Sequence, residues 1–173
     1  MKNFGFSLLL MVFALSSVFA QEWKIASNYT IAFDSDDASG IFEELSGDIT
    51  FDPNNLEKSK FVLVIKVGSI ATGNFLKNSH AKGKDWFDGD NYPNIKFISN
   101  TNGFKKIADI GYEVTGHLQM HGVSKQITIL FTFSNNTLKA KFSVDRTDYG
   151  IGDPNNGVSK TIKINATIPL KKK

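Results

Sequence analysis

The sequence predicts an all-β domain of eight antiparallel strands, interrupted by one short helix. Apolar and polar residues alternate along most of the chain, as they do in strands with one buried face. Residues typical of turns, mainly Asn, Asp, Gly and Pro, separate the alternating stretches, and only one stretch has helical spacing. Eight antiparallel strands bury their apolar face by closing into a barrel or by stacking as a sandwich, and the alternation alone is compatible with both.

The first segment of the chain has the features of a leader peptide. A lysine near the start precedes an apolar stretch over residues 4–15, and Val18-Phe19-Ala20 supplies the small residues that signal peptidase requires. The apolar stretch is shorter than the roughly 20 residues that cross a bilayer. We therefore expect residues 1–20 to be a signal peptide cleaved after Ala20. Residues 21–173 then form one periplasmic or secreted domain.

The chain contains no cysteine, so an exported domain of this sequence must be stabilised by its apolar core rather than by disulfides. One domain of this length is large enough to bury such a core. The formal net charge is +3, and the basic residues are scattered apart from Lys171-Lys172-Lys173. This distribution does not predict a nucleic-acid partner.

The strands follow one another in chain order. They are predicted over residues 23–33, 45–51, 61–67, 95–99, 112–120, 127–133, 138–144 and 162–170. Asn135-Asn136 fits a two-residue hairpin loop, while Asp52-Pro53-Asn54-Asn55 and Asn100-Thr101-Asn102-Gly103 predict turns. The helical stretch covers residues 74–84, with Gly83 at its end.

The middle of the chain carries several motifs in a distinctive order. Thr72-Gly73-Asn74 precedes His80, Asp85-Trp86-Phe87-Asp88 and Tyr92-Pro93-Asn94-Ile95-Lys96-Phe97, and residues 116–125 follow some forty positions after the first motif. This order and spacing resemble the YceI-like family of secreted lipid-binding proteins. One departure concerns a segment where many relatives carry an Arg-Asp pair and this chain has Lys77-Asn78.

The resemblance implies an eight-stranded, lipocalin-like antiparallel barrel whose tunnel holds a long isoprenoid chain. It implies a binding protein for a polyisoprenoid or a similar long apolar lipid, which the protein carries or stores. Peripheral contact with a membrane would suit that role. We expect no catalytic residues, no cofactor and no nucleic-acid partner.

Aromatic residues supply most of the candidate ligand-binding surface. Several lie at alternating strand positions and others in connections that would cap a cavity, where they line a tunnel or simply fill a core. Small neighbours such as Gly47, Gly116 and Ala140 favour unfilled volume. The resemblance adds His80 as a candidate headgroup contact, with a local hydrogen bond as the alternative. The candidates are Phe33, Phe42, Phe51, Phe75, His80, Trp86, Phe87, Phe97, Phe131, Phe133 and Phe142.

Two histidines spaced four residues apart raise the question of a metal site. On a helix His117 and His121 would share a face and bind zinc, whereas on a strand they lie about 13 Å apart, too far for one ion. The alternation around Val114 and Leu118 favours a strand. The acidic stretch that starts at Asp34 lacks the ligand spacing of an EF-hand. We therefore predict no metal site.

Two other functions stay open on the sequence alone. An enzyme would act on an amphipathic substrate through His80, His117 or the loop that contains Asp145 and Asp148, although the chain has no Gly-x-Ser-x-Gly motif. A structural or adhesive module would have a core completely filled by side chains. These interpretations differ in whether the interior is empty and whether polar groups converge on it.

Overall fold

The structure is a computed structural model that describes residues 21–108 and 111–173. The predicted signal peptide, residues 1–20, lies outside the described residues. No helix within those two ranges is long and apolar enough to span a bilayer. The elements are β1 Glu22–Ile25, β2 Thr30–Asp34, β3 Ser39–Phe42, β4 Leu45–Thr50, β5 Lys60–Lys66, β6 Ile70–Ala71, α1 Phe75–Lys82, β7 Asn94–Ile107, β8 Gly111–Met120, β9 Val123–Ser134, β10 Thr137–Asp145 and β11 Thr161–Lys172.

Strand pairing closes a ring of eight antiparallel strands in the order β1-β4-β5-β7-β8-β9-β10-β11, and β11 pairs back with β1. The same edge of β11 also pairs with β2, so β1 and β2 are two parts of one interrupted strand. β3 pairs with β2 and β6 pairs with β3, which extends the wall at one end of the barrel. The predicted eight-stranded barrel is confirmed, and the sandwich alternative is wrong.

Two-residue turns with positive φ join the later strands. Asn135 and Asn136 have φ of 48° and 55° between β9 and β10, as the predicted hairpin requires. His121 and Gly122 have φ of 50° and 73° between β8 and β9. Adding a side chain to Gly122 would also meet the ring of Tyr92 at 2.9 Å.

The turn predicted at Asn100-Thr101-Asn102-Gly103 is wrong, because β7 continues through it. Ser99 pairs with Gly116 and Phe104 with Val114, so β7 takes five steps where β8 takes two. A bulge accommodates the extra residues without reversing the chain. The residues typical of turns fit the irregular backbone of this bulge.

The predicted helix is confirmed as α1. The side chain of Asn74 caps it by accepting the backbone N–H of Lys77 at 3.0 Å. Asn78 lies on α1, one turn after its cap. Its Oδ1 accepts the backbone N–H and the hydroxyl of Thr72 at 2.8 and 2.7 Å. These bonds tie α1 to the chain that leaves β6.

Aromatic rings close one end of the barrel. Phe51 is fully buried just after β4, and the indole N–H of Trp23 donates to its carbonyl at 2.9 Å. Five further rings lie with their centroids 5.1 to 6.2 Å from that of Phe51. We call this set the aromatic floor: Trp23, Phe51, Phe61, Phe104, Tyr112, Phe131 and Phe133.

Candidate functional site

An apolar cavity of about 320 Å³ lies in the barrel at the end opposite the aromatic floor. A second cavity of about 110 Å³ lies deeper, toward the floor. Six side chains line both cavities, which are therefore adjacent parts of one interior. These side chains are Ile31, Ile65, Ile95, Leu118, Phe142 and Ile164. Volumes of this order suit a small apolar ligand or part of a longer one.

Strand alternation places the lining side chains. On β11, Ile162, Ile164, Ala166 and Ile168 line the two cavities, while the intervening Lys163 is exposed. Ala140 on β10 lies opposite Ala166, so two neighbouring strands present only methyl groups at the same level. These two small side chains leave room that larger residues would fill.

The other small residues expected to leave volume do not. A side chain at Gly116 would meet the ring of Phe97 at 2.7 Å, so that ring already fills the space. A side chain at Gly47 would collide with the carbonyl oxygen of Val62 on the neighbouring strand. The expectation for Gly47 and Gly116 is therefore wrong, because close packing rather than empty space requires glycine there.

Most of the predicted ligand-binding residues do line the interior. Phe33, Phe42, His80, Trp86, Phe87 and Phe142 line the outer cavity, and Phe97, Phe131 and Phe142 line the inner one. Ligand binding by these residues stays a prediction.

Three candidates lie elsewhere, and their expected place in the lining is wrong. Phe51 and Phe133 belong to the aromatic floor and line neither cavity. Phe75 begins α1 and is 82% exposed. Alternation predicts which face of a strand a side chain occupies but not its depth in the barrel, and it predicts nothing for a helix terminus.

Polar groups occur mainly where the outer cavity meets the surface. Ser35, Asp37, Thr72, Lys77 and His80 contribute to this rim. The ammonium group of Lys77 donates to the carbonyl of Asp37 at 3.1 Å, which links α1 to the β2–β3 turn. The rim can therefore contact a polar headgroup, while the strand side chains deeper in the interior offer apolar surface.

Arg146 lies between Asp145 and Asp148 but is not among the predicted ligand-binding residues; it lines the outer cavity and is 3% exposed. Its guanidinium group lies 5.1 Å from the ring of Trp86. Its N–H groups donate to the carbonyls of Ile151, Asp153, Val158 and Ser159 and to the side chain of Asn156, at 2.6 to 3.2 Å. Arg146 thereby holds the loop 151–159 against the barrel mouth. Burial of an arginine among the carbonyls of an irregular loop leaves no periodic pattern in a sequence.

The loop with Asp145 and Asp148 is a structural unit. Asp145 accepts the hydroxyl and the backbone N–H of Thr147 at 2.6 and 2.8 Å, and the hydroxyl bond is the main reason that the pKa of Asp145 is lowered. Asp148 pairs with Lys125 on β9. Burial raises the pKa of Tyr149. Asp145 and Asp148 line neither cavity, so they do not form a polar site with His80.

The three histidines occupy separate places. His80 lies on α1 at the rim, and His117 lies on β8 as predicted, with its Nδ1 3.0 Å from the side-chain oxygen of Asn100. His121 lies in the next turn, with its Nδ1 3.0 Å from the carbonyl oxygen of Tyr149. Within the described ranges, no three His, Asp or Glu side chains are grouped closely enough to hold a metal ion.

Comparison with known families now identifies the barrel. The family model described as YceI-like domain matches residues 20–170. The chain belongs to the YceI-like family. A relative from Pseudomonas putida, named UPF0312 protein, is 27% identical over 157 residues, which are 85% of this chain and 78% of that protein. A UPF0312 protein of Pseudomonas savastanoi is 35% identical over 95 residues, 55% of this chain and 48% of its own.

Solved structures share the YceI-like fold. BcnA of Burkholderia cenocepacia superposes with a TM-score of 0.76 at 23% identity, covering 83% of this chain and 96% of its own. A polyisoprenoid binding domain from Saccharophagus degradans, implicated in plant cell wall breakdown, gives a TM-score of 0.64 at 17% identity, covering 90% of this chain and all of that domain. At these identities the likeness concerns the fold alone.

Replacing Arg146 with lysine should lower the free energy of unfolding by about 3 kcal/mol. An ammonium group cannot serve several diverging carbonyls at once, and each buried carbonyl left unpaired costs about 1–3 kcal/mol. Urea unfolding measures the loss, and amide exchange should become faster in residues 151–159. Lys125→Ala is the control, because removal of an exposed ion pair should cost under about 1 kcal/mol. A lysine variant as stable as the parent would contradict this role.

Proposed function

We propose that this protein binds a polyisoprenoid or a similar long apolar lipid, which it carries or stores. The observation that carries the proposal is the interior, whose lining is apolar apart from the polar groups at its rim and the buried Arg146. Such a site excludes water from an apolar chain while a headgroup stays near the surface. The polyisoprenoid binding domain of the same fold supports this class of ligand. The unfilled interior argues against a structural module with a completely packed core.

Burial of an apolar chain supplies enough free energy for this role. At about 0.8 kcal/mol per buried CH₂, a dozen buried carbons give on the order of 10 kcal/mol before association costs are subtracted. Micromolar affinity requires about 8 kcal/mol, so most of the interior must be occupied for useful affinity. Family membership and the separated polar groups favour a binding protein over an enzyme.

Filling the interior should abolish ligand uptake without unfolding the barrel. Ile164 lines both cavities, and Ile164→Trp adds apolar volume where space exists. Native mass spectrometry of the freshly purified variant should show loss of a co-purifying lipid, with at least tenfold weaker uptake of an apolar fluorescent probe. Lys163→Trp is the matched control, because Lys163 is the exposed neighbour on the same strand. Equal uptake by both folded variants would contradict binding in this interior.

We propose further that the protein is exported, with residues 1–20 removed after Ala20. The lysine, apolar stretch and small residues of the leader support this location. Expressed from its full gene in a bacterial host, the protein should be found in the periplasmic or secreted fraction with Gln21 as its first residue. Intact-mass measurement tests the cleavage site, and an uncleaved protein in the cytoplasmic fraction would contradict export.

A membrane is the natural source or destination of a water-insoluble lipid, and α1 presents a surface suited to it. Phe75 is 82% and Leu76 is 66% exposed at the start of this helix, whereas His80 and Ala81 farther along it line the outer cavity. The helix contains Lys77 and Lys82 and no acidic residue. We propose that this end of the barrel contacts an anionic membrane surface during lipid exchange.

Phe75→Ser combined with Leu76→Ser should weaken binding to anionic phospholipid vesicles by at least tenfold, because both side chains lose apolar burial at the interface. Vesicle flotation measures the bound fraction. Ile98→Ser combined with Leu130→Ser is the matched control, since these exposed apolar residues lie on strands of the barrel wall. An equal loss of vesicle binding in both double variants would contradict the membrane assignment. So would light scattering that shows the parent protein as a dimer and the Phe75 variant as a monomer.

A further inference from the structure

We propose that the aromatic floor ends the ligand tunnel and sets the length of apolar chain that the protein encloses. A chain of about the length of an extended farnesyl group is enclosed completely, and longer isoprenoids leave the remainder outside. This inference rests on the proposed function and specifies its ligand class.

The position of the floor follows from the cavity lining. Phe61 and Phe131 are members of the floor that also line the inner cavity, so their rings face the empty interior. Phe51 lies behind them, 6.0 Å from Phe61 and 5.5 Å from Phe131 between ring centroids. Because Phe51 is fully buried and lines neither cavity, the inner cavity stops at this layer of rings.

The length of the enclosed space follows from β11. Its lining residues run from Ile162 in the outer cavity to Ile168 in the inner one. Six residue steps in a strand span about 20 Å, which corresponds to roughly 15 Å along the axis of a barrel with tilted strands. This distance matches an extended farnesyl chain, while a long polyprenyl chain greatly exceeds it.

The floor is packed so that it resists displacement by a ligand. The Phe131 ring stacks on Tyr112 at 5.5 Å and makes an edge contact with Phe51. The Trp23 hydrogen bond to the Phe51 carbonyl fixes the backbone from which the central ring projects. A ligand that pushes the Phe131 ring away from the cavity must also move Phe51 and Tyr112, because both rings pack against it.

The opposite end of the interior differs from the floor in its polar residues and in the elements that form its wall. Its rim carries Thr72, Lys77 and His80, and its wall includes α1 and connecting segments rather than paired strands alone. A headgroup therefore stays at the rim and the apolar chain enters tail first. Chain length is then measured from the rim to Phe131.

The test uses lipid-free mature protein and the linear alcohols geraniol, farnesol, geranylgeraniol and solanesol, each competed against an apolar fluorescent probe. Affinity should rise at least tenfold from geraniol to farnesol, because added carbons are buried. From farnesol to the longer alcohols it should change by less than about threefold, since their added carbons stay outside.

Phe131→Ala removes the ring that faces the cavity and should deepen the enclosed space. The chain-length limit should then increase, so that geranylgeraniol binds at least tenfold more tightly than farnesol. Phe133→Ala is the matched control, because Phe133 lies two residues along β9, contacts Phe51 and lines neither cavity. It should keep the parent's limit. If Phe131→Ala does not fold, Phe131→Leu should shift the limit in the same direction by a smaller amount.

A parent protein whose affinity keeps rising tenfold beyond farnesol would overturn the inference while leaving the proposed function intact. The same holds if the limit is unchanged in the folded Phe131 variant or moves equally in the Phe133 variant. Failure of every alcohol to displace the probe would instead overturn the proposed function, and the length limit with it.

Discussion

The pairing of β11 with strands from both ends of the chain is the interaction on which the barrel depends. One edge of β11 pairs with β10 from Thr161 to Pro169, and the other pairs with β2 and β1. Without these bonds the sheet would have two exposed edges and no interior. Closure also turns the inward side chains of β11 toward those of β8 and β10, so the cavity exists only because the ring is complete.

Closure is not uniform around the ring. β9 and β10 pair only where residues 131–134 meet residues 137–140, next to their shared hairpin. Farther from the hairpin, the segment after β10 takes over the contact: Asp148 pairs with Lys125 on β9, and the carbonyl of Tyr149 contacts His121. Arg146 anchors this segment and the loop after it. Side-chain bonds thus replace backbone pairing on the side of the barrel nearest the mouth.

Much of this fold could be predicted because alternation is a local property. The eight strands, the helix after Asn74 and the hairpin at Asn135-Asn136 all follow from neighbouring residues. Depth within the barrel does not, since Phe51 and Phe142 have similar local patterns but lie in the floor and the cavity wall respectively. The β7 bulge and the partners of Arg146 depend on chain segments that the local sequence does not indicate.

Because the aromatic floor closes one end of the interior, a bound molecule would have to leave through the mouth before another could enter. For the lipid ligand proposed above, the end that enters last would leave first, so its headgroup at the rim is what any donor or acceptor would meet. Loading and unloading would then share the opening near α1, and a donor and an acceptor would not be engaged together. The net direction of such a transfer would depend on the relative lipid occupancy of donor and acceptor, because the aromatic floor closes the other end of the described barrel.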